Sequence, residues 1–263
     1  MITTAVVLAR GLGTRMRAEG GAALTPEQAA AAKAGYKALM PLGKHRLIDY
    51  SLSALADAGI TKAVLVVAPD HEDFKKHIRD VAPERIEVAF AVQAEPLGTA
   101  NAVAAAAEAV GDDSCIVVNG DNLYPSEGVR ALAEHGGNAI LGFDRTALIE
   151  QSNIPADRIA AFALIQTEGG RFVELVEKPA PDVVDAAGPH ALVSMNCFAF
   201  TPAIFDACRR VDQSPRGEYE IVDAVRMLEG VSVVPFEGGV LDLSRRDDVA
   251  GVEARLAGAE VRL

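Results

Sequence analysis

The chain has 263 residues, with 25 Lys and Arg against 37 Asp and Glu, a formal charge of −12. Half of it is hydrophobic and 24% is charged, so it can bury a large core and is not an intrinsically disordered polymer. The acidic balance works against non-specific binding to nucleic acid or to anionic lipid, so an anionic substrate needs a local cluster of positive charge.

In chain order, AVVLA (5–9), AVLVVA (63–68), IEVAFAV (86–92), CIVVN (115–119) and AILGF (139–143) are short β-rich runs. Amphipathic segments separate them. LIDYSLSALADAG puts Leu47, Ile48, Leu52 and Leu55 on one face, with Gly59 able to end the helix in a left-handed conformation. A second helix is predicted from Asp70, with Phe74, Ile78 and Val81 on one side, and a third in the Ala-rich segment after Thr99. This alternation predicts an α/β fold whose parallel strands are joined by right-handed crossovers. Between the first two strands lies an insertion, residues 20–35, in which Thr25, Pro26, Gln28 and Gly35 spell a capped short helix. It is either a plain surface insertion or a lid over the adjacent loop.

After about residue 150 the pattern changes. Alternating runs around Glu168, Gly169 and Gly170 predict a hairpin, and ALVSMNCFAF another strand. Helices near 202–210 and 218–229, a strand at 231–236 and a helix from about 247 complete the chain. No Pro- or Ser-rich linker divides it, so residues 1–263 are expected to form one domain with two halves, 1–150 and a substrate-facing 151–263.

LARGLGTRM (8–16) runs an apolar strand into a Gly-rich turn carrying Thr14 and Arg15. Glycines let backbone amides approach phosphate oxygens, and Arg15 adds a planar, permanently charged fork. There is no P-loop, and Met16 occupies the third glycine position of the dinucleotide fingerprint.

Four further segments follow: YKALMPLGKHRLIDY (36–50), QAEPLGTANAV (93–103), VVNGDNLYP (117–125) and VEKPA (176–180). With LARGLGTRM they resemble the sugar-1-phosphate nucleotidylyltransferases, or sugar nucleotide pyrophosphorylases, and their molybdenum-cofactor guanylyltransferase-like relatives. The resemblance covers residues 3 to about 250. It implies a Rossmann-like, three-layer fold with a mostly parallel mixed sheet, of the nucleotide-diphospho-sugar transferase type. The implied reaction joins a nucleoside triphosphate to a sugar phosphate and releases pyrophosphate, with Mg²⁺ as cofactor.

By the same resemblance Asp121 and Asp242 hold the metal, and hard carboxylate oxygens suit Mg²⁺. Lys37 is associated with phosphate binding, Lys178 with the sugar phosphate, Glu177 with a sugar hydroxyl, and Asn196 with the sugar. Arg15, Lys37 and Asp121 form the implied catalytic set. Leu8, Ala9, Gly11, Gly13, Thr14, Arg15, Gln93, Gly98, Thr99 and Asp121 form the implied nucleotide site. A Gln amide both donates and accepts, so Gln93 beside the Gly98–Thr99 turn can pair with a uracil-like edge, and a pyrimidine is preferred. Cys197-Phe198 replaces the usual small-Gly pair after Asn196. Glu218 and Asp223 are given no catalytic role, because helix capping explains them equally well.

Two rival functions are a GT-A glycosyltransferase, although Asp121-Asn122-Leu123 lacks the second acid of D-x-D, and a catalytically silent nucleotide-sugar-binding regulatory subunit. Cys115, Cys197 and Cys208 show no C-x-x-C spacing and are expected as buried thiols. His45, His71, His77, His135 and His190 show no metal spacing and are expected at the surface. No G-x-S-x-G elbow supports a hydrolase. The N-terminus lacks a signal-peptide pattern and no run of about 18 apolar residues occurs, which predicts a cytoplasmic protein. No hexapeptide repeats indicate an appended acyltransferase. The expected partners are an NTP and a sugar phosphate, without nucleic acid or membrane; a homo-oligomer is compatible with all of this.

Overall fold

A computed structural model describes residues 1–11, 13–18 and 21–263. Nine strands form the main sheet: β1 (Thr4–Leu8), β2 (Lys62–Val67), β3 (Glu87–Val92), β4 (Cys115–Asn119), β5 (Ala139–Asp144), β6 (Leu164–Glu168), β7 (Arg171–Val176), β8 (Leu192–Phe200) and β9 (Ser232–Phe236). Their order is β3-β2-β1-β4-β8-β5-β9-β7-β6. The first four are parallel to one another. β8 then inserts antiparallel between β4 and β5, and β9 returns parallel to β5. Residues from both halves of the chain thus share one sheet.

The parallel centre is buried on both faces, which is why its strands are nearly continuous Val, Ile, Leu and Ala. One face is covered by the helices Leu47–Asp57, Glu72–Val81 and Ser126–His135, whose Leu52, Leu55, Phe74, Ile78, Val129 and Leu132 pack against alternate strand residues. The other is covered by Thr99–Ala105, Ala203–Arg210 and Ile221–Arg226. A third apolar cluster joins Met16, Ala32, Met40, Leu42 and Leu47 to Leu243, Val249 and Val252 near the C-terminus.

The insertion forms the helix Pro26–Ala34, with the reciprocal Thr25–Gln28 capping box and Gly35 at φ 82°. It is fastened beside the Gly-rich loop rather than over it: Ala32 is buried, Gln28 Nε2 donates to the Pro41 carbonyl at 3.1 Å, and Arg17 donates to the Ala34 carbonyl at 2.6 Å. The predicted hairpin pairs Glu168 with Arg171, and Gly169 and Gly170 take the two positive φ values that a type I′ turn requires. The predicted helix at 218–229 shortens to Ile221–Arg226, because the Tyr219 backbone bonds sideways to Leu97 and Ala100.

All three cysteines are buried and free. Burial pushes the Cys115 and Cys208 thiols up to about 12 and Cys197 higher still. Two histidines differ from the surface expectation. His71 is 7% exposed, accepts the Ala68 N–H at Nδ1 and stacks on Phe74, and burial holds its pKa below the usual imidazole value. His77 Nε2 lies 2.7 Å from the buried Asp49. No helix among the described residues is long and apolar enough to cross a membrane.

Candidate active site

Open α/β sheets bind ligands at the carboxyl ends of their parallel strands. A cavity of about 550 Å³ opens there. Its walls are the loop after β1 (Leu8, Ala9, Arg10, Gly11, Gly13, Thr14, Arg15), the turn after β3 (Gln93, Pro96, Gly98, Thr99), and Asn119, Gly120 and Asp121 after β4. Gly35, Lys37, Ala38, Ala102, Glu218 and Ser244 complete it.

Backbone closeness explains three of the glycines. A Cβ on Gly120 would stand 2.8 Å from the Leu8 carbonyl oxygen, so only glycine lets the β4 tail cross the end of β1. Gly13 has φ 59°, and its Cβ would meet Gly35 at 2.8 Å. Gly98 has φ 106°, and its Cβ would stand 2.5 Å from the Tyr219 carbonyl oxygen. Tyr219 N–H donates to the Leu97 carbonyl, Ala100 N–H to the Tyr219 carbonyl, and Ile221 N–H to Thr99 Oγ1, at 2.7, 2.9 and 2.9 Å. A Gly98→Ala chain should therefore lose about 1–3 kcal/mol through its forced left-handed residue, melt several degrees lower and bind nucleotide more weakly. Calorimetry of unfolding and nucleotide titration check this; unchanged values in both would contradict the close packing.

The charged end of the cavity is built on an ion pair. Lys37, in the 3₁₀ turn Lys37–Leu39, donates from Nζ to Asp121 Oδ2 at 2.7 Å, with the two side chains 17% and 27% exposed. This excludes a solvated helix-end role for Lys37. Thr14 and Arg15 are exposed on the same wall.

Asp242 sits beside Asp121 in the two-stranded ribbon of Leu241–Asp242 with Asn122–Leu123, where Leu243 N–H donates to the Asp121 carbonyl at 2.9 Å. Its side chain is withdrawn from the cavity behind Ser244. Asn122 Nδ2 and Ser244 Oγ donate to Oδ1 at 3.0 and 3.1 Å, and Arg158 holds Oδ2 while also pairing with Asp248 at 2.7 Å. Burial, then the charge of Asp121, pushes the Asp242 carboxyl above its usual range, with Arg158 opposing. No third His, Cys, Asp or Glu joins the two aspartates among the described residues. The donor set nevertheless fits Mg²⁺, which takes one or two carboxylates and completes its shell with substrate phosphate and water.

Three predicted sugar-side residues lie outside the cavity wall. Glu177 and Lys178 are exposed after β7 and enter no salt bridge among the described residues. Asn196 lies within β8, at a bulge between Ser194 and Phe198. Lys178 and Asn196 share an unusual feature, φ of 45° and 55°, and non-glycine residues held left-handed concentrate at functional sites. Tyr124, buried, donates to the Met195 carbonyl at 2.7 Å and so ties the Asp121 turn to that bulge.

Several residues carry more than their sequence signal suggested. Arg158 sits in the one-turn helix Ala156–Ile159, 84 and 90 positions from its partners. Glu218 lines the cavity instead of capping a helix, and Asp223 pairs with Arg226 at 2.6 Å. Arg10 lines the cavity beside Arg15, and an Arg interrupting a Gly-rich loop is itself a signal.

The sheet order and the placement of the cavity define a Rossmann-like α/β protein with its ligand crevice at the β1 and β4 ends. The chain belongs to the nucleotidyl transferase family, whose profile matches residues 4–233. It is 31% identical over 249 residues to the low-salt glycan biosynthesis nucleotidyltransferase Agl11 of Haloferax volcanii, covering 93% of this chain and 63% of that protein. It is 28% identical to the UTP–glucose-1-phosphate uridylyltransferase AglF of the same organism, covering 96% of both. A solved UDP-glucose pyrophosphorylase in complex with UDP-glucose shares the fold at TM-score 0.74 and 18% identity, over 99% of this chain and 100% of that one. Family membership decides against the glycosyltransferase reading.

Proposed function

We propose that the chain transfers a nucleoside monophosphate from an NTP to a sugar-1-phosphate and releases pyrophosphate, with Mg²⁺ as cofactor and a pyrimidine nucleotide as donor. The observation that carries this reading is the Lys37–Asp121 pair at the mouth of a cavity whose other walls are the Gly-rich loop and the Gln93–Thr99 turn. A triphosphate laid along it places its phosphates by Arg15 and Lys37 and its base by Gln93 and Gly98.

An oxygen of the sugar phosphate attacks the α-phosphorus, the new P–O bond forms opposite the departing pyrophosphate, and charge spreads over the surrounding oxygens. A phosphate monoester is largely dianionic at neutral pH, so no side chain need remove a proton. What the site must supply is positive charge and alignment, and Arg15, Lys37 and exposed backbone amides offer both. Asp121 and Asp242 would hold Mg²⁺, which when bound would supply charge neutralisation for the phosphate oxygens.

In this reading Lys178 meets the sugar phosphate, Glu177 a sugar hydroxyl and Asn196 the sugar, and residues 1–263 act as one catalytic domain in the cytoplasm. The uridine nucleotides in the names of AglF and the UDP-glucose pyrophosphorylase support the pyrimidine preference. Retention of Lys37 and Asp121 in contact favours an active enzyme over a silent subunit.

A matrix of NTPs against phosphorylated sugars and polyols, scored by pyrophosphate formation, tests the proposal. Turnover is expected with UTP or dTTP and a hexose-1-phosphate. Pyrophosphate from no pair would overturn it.

A further inference from the structure

Each of the two aspartates proposed for the metal already carries a cation. Lys37 Nζ holds Asp121 Oδ2 at 2.7 Å, and Arg158 holds Asp242 Oδ2. The two ion pairs are built differently. Arg158 is pinned through both arms of its fork, since its other terminal nitrogen pairs with Asp248 at 2.7 Å, and the three side chains are 17% exposed or less. Lys37 bonds to Asp121 alone among the described residues, and it lines the open cavity. Its ammonium rides on a flexible four-carbon stem, so it is the cation that can leave.

The two carboxylates differ in the same sense. Asp242 has Oδ1 taken by Asn122 and Ser244 and Oδ2 by Arg158, and its side chain is 8% exposed. Asp121 lines the cavity with its side chain 27% exposed, and Lys37 is the partner of its carboxylate. Asp121 is therefore the first acid that an ion entering from the cavity reaches, and Lys37 is already on it. A dication and an ammonium on one carboxylate repel each other, more strongly where water is partly excluded.

We propose that Lys37 stands in for the metal: in the nucleotide-free chain its ammonium occupies Asp121 Oδ2 in place of a divalent ion, and it passes to the nucleotide phosphates when the ion arrives. The inference rests on the metal site proposed above and adds an order of events to it. The free chain binds a divalent ion weakly, and ion and nucleotide enter together. Charge explains the order. In the free chain Asp121, Asp242 and Asp248 face Lys37 and Arg158, so three negative charges meet two positive ones. A lone dication leaves the site with excess positive charge, whereas a triphosphate brings acceptors that Lys37 can reach from the same cavity wall.

Mn²⁺, which shares the preference of Mg²⁺ for carboxylate oxygens and water, is the probe. The full chain is titrated without nucleotide, and binding is read from loss of the free-ion paramagnetic resonance signal. Lys37→Met should bind Mn²⁺ at least about tenfold more tightly than the wild-type chain, a modest effect for removing a like charge from a partly exposed site. Arg15→Met, which removes a cation from the same wall without freeing Asp121, should stay within about threefold of wild type. Equal affinity in Lys37→Met and wild type overturns the proposal, and so does equal tightening in Arg15→Met, which would leave only the general field of the cavity at work. A second measurement needs no variant. Acetylation of the wild-type chain with acetic anhydride, followed by peptide mass spectrometry, compares Lys37 with the exposed Lys33 and Lys44. Saturating Mg²⁺ should raise the relative reactivity of Lys37 at least about threefold, the scale of releasing a partly exposed ion pair, and UTP added on top should lower it again. A Lys37 reactivity that Mg²⁺ leaves unchanged overturns the proposal whether or not Lys37→Met folds. Absence of Mn²⁺ binding to every chain overturns this inference and the metal assignment together. The expected pattern without pyrophosphate release from any substrate pair overturns the reaction alone and leaves the role of Lys37 standing.

Discussion

An Asp121→Asn chain is expected to keep its fold and lose at least about 10³-fold in pyrophosphate-forming turnover, a loss in the upper range for removing a single preorganised electrostatic contact. The carboxylate does two things that an amide cannot. It neutralises Lys37 at 2.7 Å, holding that ammonium at the cavity mouth, and it offers a hard, charged oxygen to a divalent ion. Stability should barely change, because the pair is partly exposed and such pairs contribute about 1 kcal/mol or less. Steady-state rates with saturating Mg²⁺, beside a melting curve, check both halves of the expectation. Turnover near the wild-type rate would remove Asp121 from the catalytic set.

The largest effect on stability is expected at Arg158. Its guanidinium, 17% exposed, lies between Asp242 and Asp248, both side chains 8% exposed. Replacing it by Met fills much of the volume but leaves two buried carboxylates without a counter-charge. Removing one partner of a buried ion pair costs about 3–5 kcal/mol, and at roughly 2–4 °C per kcal/mol the melting temperature should fall by about 6–20 °C. Asp242 would then share its site with Asp121 alone, so Mg²⁺ should raise the melting temperature of Arg158→Met more than that of the wild-type chain. A variant melting within 2 °C of wild type would show that the triad carries little of the fold.

Local physics was legible in the sequence. The capping box at Thr25, the Gly169–Gly170 turn and the CIVVN strand each follow from residues within a few positions of one another. So was the chemistry of the β1 loop, because glycine and Arg15 after an apolar strand have few other uses. What did not show was pairing across long sequence separations. Nothing in ALVSMNCFAF says that it runs antiparallel between β4 and β5, since a buried strand is equally apolar beside either neighbour. The bulge at Asn196 follows from that placement, so the bulge was hidden as well. Arg158 and His77 were unreadable for the same reason: a charged residue announces its partner only when the fold brings that partner near. Asp121 and Asp242 are adjacent because one two-residue ladder joins their segments, yet burial and Arg158 set Asp242 back from the cavity, which no spacing conveyed.

The most direct test follows the α-phosphorus itself. With an α-³²P-labelled NTP and a sugar-1-phosphate, the label should pass into a nucleotide sugar and leave unlabelled pyrophosphate, only when the sugar phosphate is present, and not in the Asp121→Asn chain. Label released as free monophosphate, or retained in the triphosphate across every donor and acceptor pair, would contradict the account.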